Sequence, residues 1–262
     1  MSGPAVPSVG PVNGSRTVAW RDYAAVLFDL DGVLTPTAEV HMAAWSEMFN
    51  AFLRGLAPGH PAADGADTAP YTEADYYAHV DGKPRYDGVA DLLGARGIDL
   101  PRGEPGDAPE AETVCGLGNR KNDAFTAVLE RDGVRPYPGS LALLDHLRDL
   151  GVPLAVVSSS ANAPAVLAAA GLADRFVTVV DGRVAGALGL PGKPAPDTFL
   201  EAARTCGAAP GAAVVVEDAV SGVRAGAAGG FGLVVGVDRG AGEDALRSAG
   251  AHLVVTDLRE LA

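Results

Sequence analysis

Short apolar runs alternate with amphipathic segments along most of this chain, and that alternation limits the fold more than any other feature. The first run, residues 24–30, leads into a second acid and Gly32, which is typical of a buried parallel strand that ends in a loop. Comparable runs lie at residues 153–157, 176–180, 213–216, 232–237 and 252–255, with helical patterns at 140–150, 163–170, 195–206 and 221–228. Strands that alternate with helices predict an α/β fold with a doubly wound, Rossmann-like parallel sheet.

The alternation stops between residues 38 and 136. Helical patterns occur there at 40–53, 73–80, 87–96 and 112–132, separated by loops rich in proline, glycine and aspartate at 55–70 and 99–110. We therefore predict an all-helical cap domain at 38–136, inserted into an α/β core made of 21–37 and 137–262. Residues 1–20, rich in proline, glycine and serine, are predicted to be a disordered tail.

Composition and charge exclude some partners. The 262 residues carry a formal net charge of −13, so nucleic acid and anionic membrane surfaces are poor partners. An acidic protein can still bind an anionic substrate if local cations or a metal reverse the field. Cys115 and Cys206 lie far apart and do not suggest a disulfide framework, and we find no signal-peptide pattern and no apolar run of membrane-spanning length. We expect a cytoplasmic protein and a monomer.

Polar residues follow the predicted strands. The first strand ends in Asp29 and Asp31, the second in the serines 158–160, and a later one in Glu217 and Asp218. Lys193 lies in a loop that precedes a helix. Because ligands bind at the carboxyl ends of the strands in such sheets, we expect these groups to meet in one crevice.

These residue types suit phosphoryl transfer with a metal. Carboxylates without histidine favour a hard cation such as Mg²⁺, and serine hydroxyls with backbone amides favour a phosphate. Aspartate can act as a covalent nucleophile, which fits Asp29, and Asp31 could serve as general acid and base. Each piece alone has a plainer interpretation, as a loop, a solvated turn, a helix cap or a surface lysine. Their joint order favours a magnesium-dependent phosphoryl-transfer enzyme.

The order of these motifs resembles the haloacid dehalogenase superfamily. The resemblance rests on the segment Asp29-Leu-Asp31-Gly-Val, then Ser158, then Lys193-Pro-Ala-Pro, then Glu217-Asp218, and it extends over nearly the whole chain from residue 24. Within that superfamily the chain most resembles the β-phosphoglucomutase family. That second resemblance rests on the segments 35–41, 82–85, 120–123 and 158–162.

The resemblance implies a role for each matching residue. Asp29 would be the nucleophile and a metal ligand, and Asp31 the acid and base, with its carbonyl on the metal. Glu217 and Asp218 would complete a Mg²⁺ site. The phosphoryl group would contact Ser158, Ser159 and Lys193; the phosphosugar would contact Gly82, Lys83, Arg85, Lys121, Ser160, Ala161 and Asn162; and Thr37 and His41 would belong to the cap hinge.

Three functions fit these residues, and we predict the first of them. The first is interconversion of β-D-glucose 1-phosphate and glucose 6-phosphate through an aspartyl phosphate and a glucose 1,6-bisphosphate. The second is a sugar-phosphate phosphatase that uses the same Asp29 and Asp31, and the third is a phosphosugar-binding module without catalysis. Ala161, where some relatives have a lysine, and Asp81 before Gly82 depart from the family pattern and concern the sugar contacts. Arg120 and Lys121 could equally form a solvated helix face.

Overall fold

The computed structural model describes residues 18–56 and 65–262. The chain divides into two compact units. The first, called the core below, comprises the described residues up to Thr35 together with Pro136–Ala262, and the second, called the cap, is Pro36–Arg135. The loop predicted at 55–70 lies partly outside the described residues.

The described core contains one parallel sheet of six strands in the order β3-β2-β1-β4-β5-β6. The strands are β1 (Ala25–Phe28), β2 (Leu154–Val157), β3 (Thr178–Val180), β4 (Ala213–Glu217), β5 (Leu233–Val237) and β6 (Leu253–Val255). Every residue of β1, β2 and β4 is buried, as expected for strands that are covered on both faces. This strand order confirms the predicted doubly wound, Rossmann-like α/β fold.

The described part of the cap is helical. Its elements are α1 (Thr37–Gly55), α2 (Glu73–Asp75) with the π-helical turn Tyr76–Val80, α3 (Arg85–Ala95) and α4 (Val114–Asp132). Thr113 caps α4, because its hydroxyl accepts a hydrogen bond from the N–H of Gly116 at 2.9 Å. The cap has its own hydrophobic core, in which the rings of Trp45, Phe49 and Tyr71 stack.

Six helices accompany the sheet in the described core. They are α5 (Pro138–Leu150), α6 (Ala163–Ala169), α7 (Gly182–Leu188), α8 (Asp197–Thr205), α9 (Val220–Ala228) and α10 (Glu243–Ala249). Pro138 opens α5, and Gly151 ends it in the left-handed conformation. The sequence analysis did not predict α7 and α10, which are seven residues long each. Among the described helices, none is long and apolar enough to cross a membrane.

Residue 20, which falls in the predicted tail, is part of the folded chain. Residues 1–17 lie outside the described part of the chain, but Trp20 begins a 3₁₀ helix and is buried. The indole Nε1 of Trp20 donates to the carbonyl oxygen of Leu261 at 2.9 Å. Trp20 therefore belongs to the core and corrects the predicted boundary.

Candidate active site

The strand order places the first acidic cluster between β1 and β4, where the order in which successive strands join the parallel sheet reverses. β1 and β4 are neighbours, Asp29 follows β1, and Glu217 is the last residue of β4. The N–H of Asp29 donates to the carbonyl oxygen of Val216 at 2.9 Å, so the strand pairing continues up to the carboxylate. In doubly wound sheets this position, at the carboxyl ends of the strands, is where ligands bind.

Lys193 joins the two neighbouring acids. Its Nζ donates to Asp29 Oδ1 and to Glu217 Oε1, each at 2.5 Å, and to the carbonyl oxygen of Val157 at 3.1 Å. All three ionic side chains are buried. Lys193 is therefore a buried cation of the site and not an ordinary surface lysine.

Burial and charge shift the pKa values of this group. Burial raises the pKa of the Asp29 carboxyl, Lys193 opposes that rise, and the carboxylates of Glu217 and Asp31 add to it, with a net increase. Burial lowers the pKa of Lys193, but Asp29 and Glu217 outweigh it, so that pKa is raised. Lys193 thus stays charged at neutral pH. Further positive charge close to Asp29 would favour its ionised, nucleophilic form.

The acids at this edge suit a metal ion. Among the described residues, Asp29, Glu217 and Asp218 each offer a carboxylate oxygen within 4.8 Å of the others. The oxygens of Glu217 are held by Lys193 and by the N–H of Ala219, the latter at 3.0 Å. A donor set made only of carboxylate oxygens fits a hard cation such as Mg²⁺ and fits zinc poorly.

Two glycines allow the acids to approach the backbone. Gly32 has a φ of +87°, and a Cβ added there would overlap the carboxylate of Asp218. A Cβ added at Gly222 would overlap the carboxylate of Glu217. These positions therefore require glycine for the site to form.

The loop after β2 brings the serines to the same edge. Ser158 is buried, and its Oγ donates to Asp31 Oδ2 at 3.4 Å and accepts from the N–H of Ser160 at 3.1 Å. The N–H of Asn162 donates to Ser160 Oγ at 3.2 Å. The structure thus brings Ser158 together with Asp31, while Ser159 and Ala161 lie on the same short loop.

Arg85 lies in the cap, at the first position of α3, with two asparagines of α4. Its Nη2 donates to Asn122 Oδ1 at 2.6 Å, and its Nη1 donates to Asn119 Oδ1 at 3.4 Å. The hydroxyl of Tyr86 also donates to Asn119 Oδ1, at 2.9 Å. The sequence analysis did not single out Asn119, although its spacing of three residues from Asn122 places both on one helix face.

Lys121 lies in a different cluster of the cap. It is 4% exposed and its Nζ contacts His41 Nδ1. The His41 ring stacks on Phe125 at a centroid distance of 3.9 Å, and the ammonium lies 5.0 Å from the centre of the Trp45 ring. The alternative of a solvated helix face is therefore wrong for Lys121. Thr37, the other residue assigned to the hinge, is buried at the start of α1.

The remaining cap residues lie at the turn before α3. Gly82 has a φ of +69°, and Lys83 Nζ contacts Asp91 Oδ2 at 2.5 Å. His79 contacts the same carboxylate at 3.2 Å. Lys83 is thus held by an acid of the cap itself.

Most of the chain matches a known protein family. The family model of the haloacid dehalogenase-like hydrolases matches residues 23–230. The chain belongs to the haloacid dehalogenase-like hydrolase family. This membership confirms the superfamily resemblance, and the matched range includes all the predicted site residues.

Individual known proteins are also similar to this chain over most of their length. A protein of Mycobacterium bovis named β-phosphoglucomutase is 50% identical over 242 residues, which are 90% of each chain. Hexitol phosphatase A of Escherichia coli is 32% identical over 79% of this chain and 80% of its own. The crystal structure of a β-phosphoglucomutase from Clostridium difficile matches with a TM-score of 0.70 at 24% identity, covering 92% of this chain and 93% of that one, which shows the shared fold.

Proposed function

We propose that this chain interconverts β-D-glucose 1-phosphate and glucose 6-phosphate. The observation that carries the proposal is the 50% identity, over nine-tenths of both chains, to a relative named β-phosphoglucomutase. The geometry of the core supports the chemistry, because a carboxylate held by Lys193 lies beside Asp31 and Asp218. The substrate is a small phosphosugar, and we further propose that the enzyme is a cytoplasmic monomer.

Asp29 is the proposed nucleophile. Lys193 holds Asp29 Oδ1, so the other carboxylate oxygen attacks phosphorus. A bond forms between Asp29 and phosphorus, the bond from phosphorus to the sugar oxygen breaks, and Asp31 gives its proton to that oxygen. In the opposite direction Asp31 takes the proton of a sugar hydroxyl while the hydroxyl oxygen attacks the aspartyl phosphate.

Two such steps make a mutase. The phosphoryl group of Asp29 moves to O6 of glucose 1-phosphate and gives glucose 1,6-bisphosphate. After the bisphosphate reorients, Asp29 takes the phosphoryl group from O1 and releases glucose 6-phosphate. Ser158 and Ser159 bind oxygens of the transferring group together with Lys193. Bound Mg²⁺, held by Asp29, Glu217 and Asp218, would offset the repulsion between the Asp29 carboxylate and the phosphate.

The cap residues are proposed to bind the far end of the substrate. Arg85 presents a guanidinium to the distal phosphate, because two acceptor oxygens, of Asn119 and Asn122, orient it in advance. Gly82 and Lys83, in the turn before α3, also contact the phosphosugar. Ser160, Ala161 and Asn162 of the core contact its sugar. Thr37 and His41 act within the cap hinge, and Lys121, whose Nζ contacts His41, contacts the phosphosugar.

The assay that tests the proposal separates mutase from phosphatase. The protein is incubated with Mg²⁺, β-glucose 1-phosphate and a trace of glucose 1,6-bisphosphate, and glucose 6-phosphate is measured against free phosphate. We expect glucose 6-phosphate as the main product. Free phosphate as the main product would contradict the mutase and favour a sugar-phosphate phosphatase, which the similarity to Hexitol phosphatase A supports as the second candidate.

Asp29→Asn tests the nucleophile itself. The amide keeps the shape of the carboxylate but cannot form an aspartyl phosphate, so we expect mutase and phosphatase activity both to disappear. Circular dichroism and sugar-phosphate binding measured on the same variant check that it folds. If the wild-type chain binds glucose 6-phosphate but shows neither activity, the third hypothesis, a binding module without catalysis, replaces the mutase and the phosphatase.

Arg85→Ala tests the distal-phosphate role. We expect mutase kcat/KM to fall roughly 100-fold or more, because about 3 kcal/mol of charge-assisted binding is removed, while hydrolysis of a small aryl phosphate changes little. Arg102→Ala is the matched control, since within the described residues this cap arginine forms an ion pair with Asp87 alone and is largely exposed. Equal losses in both reactions for Arg85→Ala would argue against a contact with the distal phosphate.

A further inference from the structure

The loop that follows Asp29, residues 30–35, is held at three consecutive carbonyl groups. The carbonyl oxygen of Gly32 accepts a hydrogen bond from Arg239 Nε at 2.9 Å, and that of Val33 accepts one from Ser140 Oγ at 2.6 Å. The carbonyl oxygen of Leu34 accepts one from the N–H of Tyr137 at 3.0 Å. Two of these donors lie at the start of α5. The third donor, Arg239, follows the end of β5. In the sheet order, β5 lies on one side of the β1–β4 pair, and β2, the strand that follows α5, lies on the other side.

Arg239 is itself fixed on several sides. Its Nη1 donates to the carbonyl oxygen of Thr256 at 3.1 Å, and its guanidinium carbon lies 4.0 Å from the centre of the Tyr137 ring. The preceding residue, Asp238, accepts from the N–H groups of Gly240 and Gly242 and so fixes the turn that carries the arginine. A guanidinium placed in this way loses little further freedom when it bonds the loop.

The carbonyl that Arg239 holds belongs to the residue that borders the proposed metal site. Gly32 directly follows Asp31, and its Cα lies against the carboxylate of Asp218, as the overlap of an added Cβ demonstrates. Glycine has the greatest backbone freedom of all residues, so the peptide group after Gly32 needs an external contact to keep one orientation. Arg239 provides a charge-assisted hydrogen bond at that peptide group.

We propose that Arg239 is a positioning residue of the active site, which holds the Gly32 carbonyl so that the loop after Asp29 stays seated against Asp218. Through that contact it keeps Asp29, Asp31 and Asp218 in the spacing that a hard cation requires. The inference rests on the metal site of the proposed function. Residues that hold the groups around a metal in place without touching the metal commonly change metal affinity or activity by about 10- to 100-fold when they are removed.

The test is calorimetric titration of Mg²⁺ into the metal-free protein, so the readout is binding and not turnover. We expect Arg239→Met to bind Mg²⁺ roughly tenfold more weakly than the wild type, or worse. Arg239→Lys keeps the charge and the stem but cannot place two donors as a guanidinium does, so its affinity should lie between the two. Arg247→Met is the matched control, because this core arginine contacts only Glu243 on its own helix among the described residues.

The outcomes separate this inference from the proposed function. An Arg239→Met variant that binds Mg²⁺ with wild-type affinity overturns the positioning role of Arg239. That holds even if the melting temperature of the variant falls. If Arg239→Met does not fold, Arg239→Lys decides, and wild-type affinity in that variant overturns the inference in the same way. A wild-type chain that binds no Mg²⁺ at all contradicts the proposed metal site, and this inference fails with it.

Discussion

The ammonium of Lys193 lies between two buried carboxylates, and this determines how the site responds to substitution. Its Nζ is 2.5 Å from an oxygen of Asp29 and from one of Glu217, and the Lys193 and Glu217 side chains are 2% and 1% exposed. Water and salt therefore screen these charges little. Removing the cation would leave two like charges buried side by side, which costs far more than the loss of an exposed ion pair.

We predict that Lys193→Met lowers the free energy of unfolding by about 3–5 kcal/mol at pH 7 in EDTA, because it leaves uncompensated buried charge. Burial raises the pKa of Asp29, and Lys193 opposes that rise, so the pKa in the folded variant lies still further above its unfolded value. The folded variant then keeps that proton to a higher pH than the folded wild type does, so protonation stabilises the variant more than it stabilises the wild type. The loss of stability should therefore shrink as the pH falls from 7 to 5, measured by urea unfolding at both values.

A double variant isolates the cause of that loss. Adding Glu217→Gln to Lys193→Met removes one of the two like charges, so we expect it to recover about 1 kcal/mol or more of the stability. The alternative is that the lysine stabilises the fold by its aliphatic packing alone. In that case the second substitution would recover nothing and the loss would be the same at pH 7 and pH 5.

Arg96 links the end of α3 to the segment that precedes α2. Its guanidinium donates to the carbonyl oxygens of Ala69 and Pro70 and to Asp75 Oδ2, the last at 2.9 Å. The arginine is buried, and the aspartate is 21% exposed. One side chain thus satisfies two loop carbonyls and one helix-capping carboxylate.

We predict that Arg96→Met lowers the free energy of unfolding by about 3 kcal/mol at pH 7, because these acceptors lose a buried charged donor. Burial acts to raise the pKa of Asp75, but hydrogen bonds from Thr72 and the charge of Arg96 outweigh it, and the pKa is lowered. Stability from such a carboxylate is present above its unfolded pKa of about 3.9 and disappears as the pH falls through the lower folded value. The difference between wild type and variant should therefore narrow below about pH 4 in urea unfolding.

Arg102→Met is the control for the Arg96 experiment. Arg102 also pairs with an aspartate of the cap, Asp87, but both side chains are more than half exposed. Exposed pairs contribute little, so we expect a change within about 0.5 kcal/mol. A loss for Arg96→Met as small as that of the control would mean that water replaces the guanidinium at these acceptors.

The sheet could be predicted from the sequence, whereas the side-chain clusters of the cap could not. β1 and β4 are buried throughout, so their apolar runs stand out, and the parallel order fixes which edge carries Asp29 and Glu217. α7 was missed because it is short and contains Gly182 and Gly186, which weaken any helical pattern. His41 and Lys121 are 80 residues apart, and only the packing of α1 on α4 brings them together.

The net charge of −13 on the whole chain and the acidic site both repel an anionic substrate. The carboxylates of Asp29, Asp31, Glu217 and Asp218 lie at the same end of the central strands, and Lys193 contacts two of them, Asp29 and Glu217. One ammonium cannot balance four acids, so an approaching phosphate is repelled unless more positive charge is present. A divalent cation would supply that charge, and because it binds the folded chain it would also stabilise the fold.

We predict that Mg²⁺ raises the free energy of unfolding by about 1.4 kcal/mol when its free concentration is roughly ten times its Kd. For a chain of this size that corresponds to a rise in melting temperature of about 3–6 °C. Scanning calorimetry in EDTA and in MgCl₂, with NaCl to match the ionic strength, measures the shift. Asp218→Asn should lose most of it, because the amide keeps the shape of the side chain and removes the ligand charge.

Asp149→Asn makes the same change of net charge at a distant place and separates binding at the site from a general salt effect. Asp149 lies on α5, is 71% exposed and pairs with Arg148. If Mg²⁺ acts only as a counterion of an acidic protein, wild type and both variants gain the same increase in melting temperature. If it binds where Asp29 and Asp218 meet, Asp149→Asn keeps the full shift and Asp218→Asn loses it, which would tie the stability of the fold to the group of acids proposed to transfer phosphate.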